Sequence, residues 1–194
     1  MCGRFENTIS LENLFSTLEL KQISQKNELT QTNIAPTQKI MTILSQGGDL
    51  KVVPMNWGIK FSKESPLIFN SRIETIKEKP YWRNLFDRNR CIVPMTAFYE
   101  WKTEGKQKIP YRIFLKNEKF FFVPALYLEK EKELYTSLIT TTPNKFIEKI
   151  HHRMPVILKM NQALDYLKAD GEENLNLCIP YMISEDMAME RIAL

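Results

Sequence analysis

The second residue of the chain is a cysteine, directly behind the initiator methionine. Once Met1 is removed, Cys2 carries a free α-amine and a free thiol on neighbouring carbons. Such a pair condenses with an aldehyde: the amine forms a Schiff base, and the sulfur then closes a five-membered thiazolidine ring. Since an α-amine titrates near ~7.7–8 and a thiol near ~8.5, both have unprotonated fractions at neutral pH. Taken alone, the pair is better explained as a frayed, inactive chain end, and an aldehyde site is the alternative.

The residues after Cys2 favour a chain start that is held in the fold. Gly3 allows the backbone to approach its neighbours closely, Arg4 can contact an anion, and Phe5 can anchor the segment in a hydrophobic core. A terminus that is tied down in this way can form part of a site.

A second polar group lies in the segment "IFNSRIET". If residues 68–72 form a strand, Asn70 and Arg72 share one face, because alternate residues point the same way. The Asn70 amide can orient an amine, and the Arg72 guanidinium fits a phosphate. A structural asparagine on an exposed strand edge explains the same residues, and both interpretations stay open.

Glu100 lies between Tyr99 and Trp101 in the segment "AFYEWK". In a strand it shares a face with Phe98 and is surrounded by aromatic residues. Partial desolvation raises the pKa of such a carboxyl group towards the range that suits proton transfer near neutral pH. A surface ion pair with a lysine is the alternative.

Two adjacent histidines, His151 and His152, precede Arg153 in "HHRMPVIL". A histidine can act as a general acid or base near neutral pH. A polar pair that closes a helix is the alternative, and it is the preferred interpretation of His152. Spacing alone does not decide for His151.

The elements that must position these groups are mostly strands. Segments rich in β-branched and aromatic residues recur from Ile40 onwards, separated by turns such as "QGGD" and "TEGK". Short helices are expected after a Ser10 cap, from Pro80, after a Thr142 cap, and from Asn161, whereas residues 32–38 and the stretch near residue 171 are expected to be loops. The pattern predicts an α+β fold: a mainly antiparallel, barrel-like β-sheet core with several flanking short helices.

Composition bounds the class of protein. The 194 residues fit a single domain spanning 1–194, and the net charge of +4 is compatible with nucleic acid without establishing it. We see no apolar run long enough to span a membrane and no signal peptide, and three widely spaced cysteines favour a reducing compartment. We therefore expect a cytoplasmic protein. With only two, adjacent histidines and no Cys-x-x-Cys, a metal site or other cofactor is not expected.

Taken together, the motifs resemble those of the SRAP (SOS response-associated peptidase) family, whose members process abasic sites and crosslink to DNA. The resemblance covers nearly the whole chain and rests on "MCGRF", "NIAPTQ", "NWG", "FNSRIET", "RCIVP" followed by "FYEWK", and "HHRMPVIL". It implies recognition of abasic sites in single-stranded DNA, capture of the sugar aldehyde as a thiazolidine, an abasic-site lyase activity, and removal of Met1 by the protein itself. It also implies a monomer that associates with DNA in the cytoplasm and needs no metal.

The resemblance also assigns roles to residues. It implies that Cys2 is the nucleophile, that Asn70 positions the amine, that Glu100 transfers protons, and that His151 assists sugar-ring opening and the Schiff base. The residues expected to contact DNA are Arg4, Arg72, Trp57 and Arg153, and the supporting positions are Pro36 and Thr140.

The sequence departs from the family pattern near the expected DNA surface. Residues 95–97 are Met-Thr-Ala where many relatives have Ala-Asp-Gly, and Phe61 is the one aromatic residue in the stretch after "NWG" that often carries tryptophans. The DNA-contact surface and the preference for junctions between single-stranded and double-stranded DNA are therefore open. Two other functions also stay open: a cysteine or N-terminal-nucleophile hydrolase acting on peptide or amide bonds, and a non-catalytic single-stranded DNA-binding module.

Overall fold

The structure is a computed structural model that describes residues 2–18, 22–23, 30–168 and 172–193. Five α-helices and one 3₁₀ turn lie in these ranges. In chain order they are α1 (Leu11–Leu18), α2 (Ile73–Ile76), α3 (Pro80–Arg88), α4 (Met160–Lys168), α5 (Glu172–Leu177) and the 3₁₀ turn Ser184–Asp186.

Thirteen strands lie in the same ranges. In order they are β1 (Arg4–Asn7), β2 (Gln22–Ile23), β3 (Gln31–Ile34), β4 (Lys39–Gln46), β5 (Asp49–Trp57), β6 (Asn70–Arg72), β7 (Arg90–Met95), β8 (Ala97–Glu104), β9 (Gln107–Leu115), β10 (Phe121–Lys130), β11 (Glu133–Thr141), β12 (Met154–Pro155) and β13 (Met187–Arg191).

Five of these strands close into a barrel. β5 pairs with β4, β4 with β7, β7 with β10, and β10 with β11, all antiparallel, and a parallel pairing of β11 with β5 closes the ring. Closure removes the free sheet edges that the end strands would otherwise expose. β6 then adds to β11 in parallel, so that Asn70 lies opposite Leu138 and Arg72 opposite Thr140.

A second, antiparallel sheet has the strand order β13-β9-β8-β1-β3. One hydrophobic cluster joins this sheet to the barrel, since Phe5 and Phe98 of the sheet pack with Trp57 and Val93 of the barrel. A second cluster lies under the helices, where α1, α3 and α4 bury their apolar faces. The predicted α+β fold, with a mainly antiparallel barrel-like core and short flanking helices, is confirmed.

Two of the predicted helix starts follow their expected chemistry. The Ser10 hydroxyl accepts a hydrogen bond of 3.2 Å from the Asn13 backbone N–H at the start of α1. Pro80 is the first residue of α3, where its missing N–H costs no helical hydrogen bond.

The helix expected after Thr142 is a series of turns over residues 145–150 instead. Asn144 organises it: its side-chain oxygen accepts hydrogen bonds from the Phe146 and Ile147 backbone N–H groups, at 3.1 and 3.0 Å. The local capping chemistry thus belongs to Asn144 rather than to Thr142. The segment ends at His151, whose backbone N–H donates to the Ile147 carbonyl.

Two expected loops contain regular structure. The stretch near residue 171 forms α5 from Glu172 onwards, and residues 31–34 form β3 before the chain turns at residues 35–38. Tertiary pairing of β3 with β1 overrides the polar composition that indicated a loop.

The "NWG" motif needs its glycine for conformational and steric reasons. Gly58 has φ +125°, and a Cβ atom there would lie 2.6 Å from Leu67 Cδ1. Its N–H donates a hydrogen bond of 2.8 Å to the Thr136 carbonyl, which continues the junction of β5 with β11. Within the described ranges, no helix is long and apolar enough to cross a membrane.

Candidate active site

Cys2 is buried between the two sheets. Cys2 has no solvent exposure and belongs to the hydrophobic cluster that includes Phe5 and Trp57. β1 runs antiparallel to β8, with Arg4 opposite Tyr99 and Phe5 opposite Phe98. From Arg4 the chain leads back towards the part of β8 that carries Glu100, which is close enough to Cys2 to act on its thiol electrostatically.

Asn70 fixes the backbone of Cys2. Its side-chain nitrogen donates a hydrogen bond of 2.8 Å to the Cys2 carbonyl. Its side-chain oxygen is buried and accepts no hydrogen bond from any residue that the structure describes. Asn70 lies at the start of β6, so the parallel pairing with β11 holds it in place. The amide therefore points an acceptor into the region of the chain start.

Glu100 is a buried carboxyl group on β8, only 2% exposed. Burial raises its pKa from an ordinary 4.5 to about 7. This is the desolvation that its aromatic sequence neighbours predict. A group with such a pKa holds and releases a proton near neutral pH, as general acid–base chemistry requires.

His151 lies next to Glu100, with 3.8 Å between its Nδ1 and the Glu100 Oε1. The Arg153 backbone N–H, which can only donate, is 3.0 Å from Nδ1. The Arg153 carbonyl, which can only accept, lies 3.1 Å from the same nitrogen. The shorter N–H contact favours Nδ1 as the acceptor, with the proton of the neutral ring on Nε2. Burial lowers the pKa of His151, with further lowering by nearby positive charges including Arg153, so the neutral ring is favoured.

Two surface cavities flank these groups. One, of about 400 Å³, is lined by Glu100, Trp101, Lys108 and His151. The other, of about 310 Å³, is lined by Ile68, Asn70, Ser71, Arg72, Thr75, Ile76, Lys79 and Trp82. Each cavity thus reaches two of the predicted site residues and carries a cationic side chain.

The Cys2 thiol is in an environment that keeps it protonated. Burial raises its pKa, and the neighbouring Glu100 carboxylate raises it further. Its Sγ contacts the Arg4 carbonyl at 3.7 Å. Since the thiolate is the reactive nucleophile, the thiol is a poor first attacker here.

The residues predicted to contact DNA fall into two groups. Arg72 is exposed and lines the second cavity, and the partly exposed Arg4 donates a hydrogen bond of 2.8 Å to the Asn33 side-chain oxygen. Both are available to a phosphate. They stay candidates for that role.

Trp57 and Arg153 are placed differently from what was expected. Trp57 has no solvent exposure, and its indole N–H donates a hydrogen bond of 2.9 Å to the Phe69 carbonyl, so it forms core rather than a stacking surface. The Arg153 side chain is 9% exposed and pairs with Glu74, so a phosphate could reach it only by replacing that carboxylate.

The two supporting residues, Thr140 and Pro36, differ in burial. Thr140 is buried at the end of β11, where its hydroxyl and carbonyl accept hydrogen bonds from the Arg153 guanidinium. Pro36 lies in the turn at residues 35–38. In this turn the Thr37 backbone N–H donates to the Trp57 carbonyl, and the Trp57 backbone N–H donates to the Gln38 carbonyl. Among the described residues, no group of three or more His, Cys, Asp or Glu side chains could hold a metal ion.

Three residues around the site were missed by sequence reasoning. Trp101 and Lys108 line the cavity with Glu100 and His151, and Glu74 holds Arg153. Trp101 could have been found from its position beside Glu100. No sequence signal connects Glu74 with Arg153, which lies 79 residues further along the chain.

Comparisons with known proteins all lead to the same family. The sequence profile described as "SOS response associated peptidase (SRAP)" matches residues 1–193. The Bacillus subtilis protein named "Abasic site processing protein YoaM" is 37% identical over 196 residues, which cover 93% of this chain and 86% of that protein. The Escherichia coli "Abasic site processing protein YedK" is 25% identical over 195 residues, covering 93% and 88%.

A solved structure of a protein from Bacteroides thetaiotaomicron has a similar fold. It superposes with a TM-score of 0.85 at 28% sequence identity, over 99% of this chain and 92% of that one.

Proposed function

Because the chain belongs to the SOS response associated peptidase (SRAP) family, as its motifs predicted, we propose that it processes abasic sites in DNA by covalent capture at Cys2. Relatives are named abasic site processing proteins. The observation that carries the proposal is the burial of Cys2 next to Asn70, with its carbonyl held at 2.8 Å by the Asn70 amide.

The reaction begins with the α-amine that removal of Met1 releases. The amine attacks the sugar aldehyde to give a carbinolamine, which loses one water to form a Schiff base. The buried oxygen of Asn70 is suited to accept a hydrogen bond from this amine and aim its lone pair at the aldehyde carbon. The amine attacks first because burial raises the pKa of the Cys2 thiol and so keeps the sulfur in its less reactive, protonated form.

The thiol then adds to the Schiff base. A carbon–sulfur bond forms, the thiol proton passes to the former imine nitrogen, and the product is a thiazolidine ring. Glu100, whose pKa burial raises to about 7, is the group that can take the thiol proton and return it to nitrogen. His151, with its neutral ring protonated on Nε2, can donate a hydrogen bond to the sugar oxygen as the ring opens.

The finer activities are part of the same proposal. A Schiff base also labilises the 3′ phosphate by β-elimination, so an abasic-site lyase activity is expected, as is self-removal of Met1. Arg4 and Arg72 are proposed to bind backbone phosphates of single-stranded DNA without reading bases. A single domain over residues 1–194, a monomeric state and a cytoplasmic location stay predictions.

The buried thiol counts against the cysteine hydrolase alternative. A hydrolase needs a thiolate at the moment of attack, whereas burial and Glu100 raise the pKa of Cys2. In the proposed reaction the sulfur attacks second, on an activated imine held beside it. The non-catalytic binding module requires no buried chain start at all.

Intact mass spectrometry after mixing with an abasic single-stranded oligonucleotide tests the proposal. The wild type should gain the mass of the oligonucleotide less one water in a heat-stable adduct. Cys2→Ala should form no such adduct, yet borohydride should trap its Schiff base, since the α-amine remains. Equal yields of heat-stable adduct from both proteins, or peptide turnover without any adduct, would overturn the proposal.

A further inference from the structure

We propose that Glu74 is a positioning residue that sets the orientation and tautomer of the His151 ring by clamping Arg153. The inference deepens the proposed function, on which the role of His151 in the reaction rests. Glu74 lies on α2, outside the set of predicted site residues, and its side chain is 41% exposed.

The clamp is a bidentate ion pair. Arg153 Nη1 donates to Glu74 Oε1 at 2.7 Å, and Nη2 donates to Oε2 at 2.9 Å. Parallel hydrogen bonds of this kind fix the plane of a guanidinium group as well as its position. In the described part of the chain, Glu74 is the one carboxylate in an ion pair with Arg153.

The same guanidinium is anchored on its other side by β11. Nη2 donates to the Thr140 carbonyl at 2.8 Å and lies 3.2 Å from the Thr140 hydroxyl oxygen. Arg153 therefore bridges α2 and β11 and has little freedom, with a side chain only 9% exposed. Without Glu74, a cation would be left in this buried place with neutral partners, an unfavourable arrangement that the side chain can relieve by moving.

Movement of Arg153 reaches the imidazole through the backbone. The Arg153 N–H donates to His151 Nδ1 at 3.0 Å, and the Arg153 carbonyl lies 3.1 Å from the same nitrogen. A small rotation of this peptide segment exchanges the N–H for the carbonyl as the partner of Nδ1. After that exchange, the tautomer with its proton on Nδ1 is favoured over the tautomer with its proton on Nε2. The Nε2 atom then faces the sugar as a hydrogen-bond acceptor instead of a donor.

A purely structural tie between α2 and β11 is the competing account. It predicts a lower stability on loss of Glu74, with no change of the imidazole and no change in the reaction rate of the folded protein. The two accounts therefore differ in whether loss of Glu74 changes the tautomer of the His151 ring.

The test combines nitrogen NMR of the two histidine side chains with adduct kinetics, using Glu74→Gln, Glu74→Asp, and the exposed Glu78→Gln as a matched control. A His152→Gln background assigns the signals, since the chain has 2 histidines. At about pH 8, where the lowered pKa of His151 keeps its ring neutral, the wild type and Glu78→Gln should show Nδ1 of His151 unprotonated and Nε2 protonated. Glu74→Gln should show mixed tautomers and form the adduct roughly tenfold to hundredfold more slowly, with unchanged affinity for undamaged single strands.

Glu74→Asp keeps the negative charge on a side chain that is one methylene shorter. Its tautomer ratio and its rate of adduct formation should lie between those of the wild type and Glu74→Gln. It replaces Glu74→Gln in the test if that variant does not fold. Unchanged tautomers and rate in a folded Glu74 variant, whatever its melting temperature, would overturn the inference. Failure of the proposed function is distinguishable, because a wild type that forms no adduct still reports its tautomer.

Discussion

The Asn70 amide nitrogen donates a 2.8 Å hydrogen bond to the carbonyl of Cys2, a residue 68 positions earlier in the chain. This bond joins β6, at the rim of the barrel, to the chain start that enters the second sheet. It fixes the peptide plane of Cys2, and therefore the direction in which a released α-amine points. One hydrogen bond thus connects the barrel architecture with the nucleophile of the proposed reaction.

Replacing Asn70 with Ala should slow adduct formation by roughly tenfold to hundredfold, because the amine of Cys2 loses its orientation. Stability should fall by only about 1 kcal/mol, the typical net value of one hydrogen bond. Rates measured with an abasic oligonucleotide, together with urea unfolding, separate the two effects. The exposed Asn176→Ala is the control and should react at the wild-type rate. An unchanged rate in Asn70→Ala would remove Asn70 from the reaction.

Local chemistry in short motifs predicts the surroundings of two of the four candidate catalytic residues, Cys2 and Glu100, whereas Asn70 and His151 follow from the family resemblance. The aromatic neighbours of Glu100 predict its desolvation, and Gly3 and Phe5 predict a chain start that is held in the fold. Both expectations match the burial of Glu100 and Cys2. Chemistry that depends on adjacent residues is readable without knowing the fold.

Contacts between distant segments could not be read in this way. Trp57 is in a motif suited to DNA stacking, but closure of the barrel through β5 and β11 places it in the core. Arg153 has the chemistry of a phosphate contact, but the short helix α2 brings Glu74 to it. Both outcomes depend on pairings between segments that the sequence pattern does not specify.

Trp57→Phe should therefore affect stability rather than DNA contact. The change removes an indole N–H that donates to the Phe69 carbonyl at 2.9 Å and leaves a void next to Phe5. We expect a loss of about 1–3 kcal/mol in the free energy of unfolding. Affinity for undamaged single strands, measured by fluorescence anisotropy well below the melting temperature, should be that of the wild type. A large loss of affinity without loss of stability would restore the original interpretation of Trp57.

Arg72→Ala should weaken binding to single-stranded DNA in a salt-dependent way. Arg72 is exposed at the cavity that also contains Asn70, so its proposed partner is a phosphate near the abasic sugar. Losing one phosphate contact should reduce the slope of log affinity against log salt concentration by about 0.7. The exposed Arg88→Ala on α3 is the charge-matched control. Equal slopes for the two variants would show that Arg72 makes no specific phosphate contact.

The raised pKa of Glu100 makes a prediction about stability that needs no substrate. Burial raises this pKa from 4.5 to about 7, so between these values the folded chain holds a proton that the unfolded chain has released. A state that binds more protons is destabilised as pH rises, so the contribution of Glu100 to stability is fully present below about pH 4.5 and is lost by about pH 7. At ~1.4 kcal/mol per pKa unit, the decline is on the order of 3 kcal/mol.

Urea unfolding of the wild type and Glu100→Gln across pH 4.5–7.5 measures this decline as the difference between two curves. Gln cannot ionise, so the wild type should lose stability relative to Glu100→Gln as pH rises through that window. His151, whose pKa burial lowers, acts in the opposite direction, since its unfolded form binds the extra proton below about pH 6.5, but it is present in both proteins. Glu104 lies on the exposed end of the same strand, and the stability of Glu104→Gln should change with pH in parallel with that of the wild type. Parallel curves for the wild type and Glu100→Gln would mean that folding does not raise the pKa of Glu100, and Glu100 would then be poorly suited to carry the thiol proton near neutral pH.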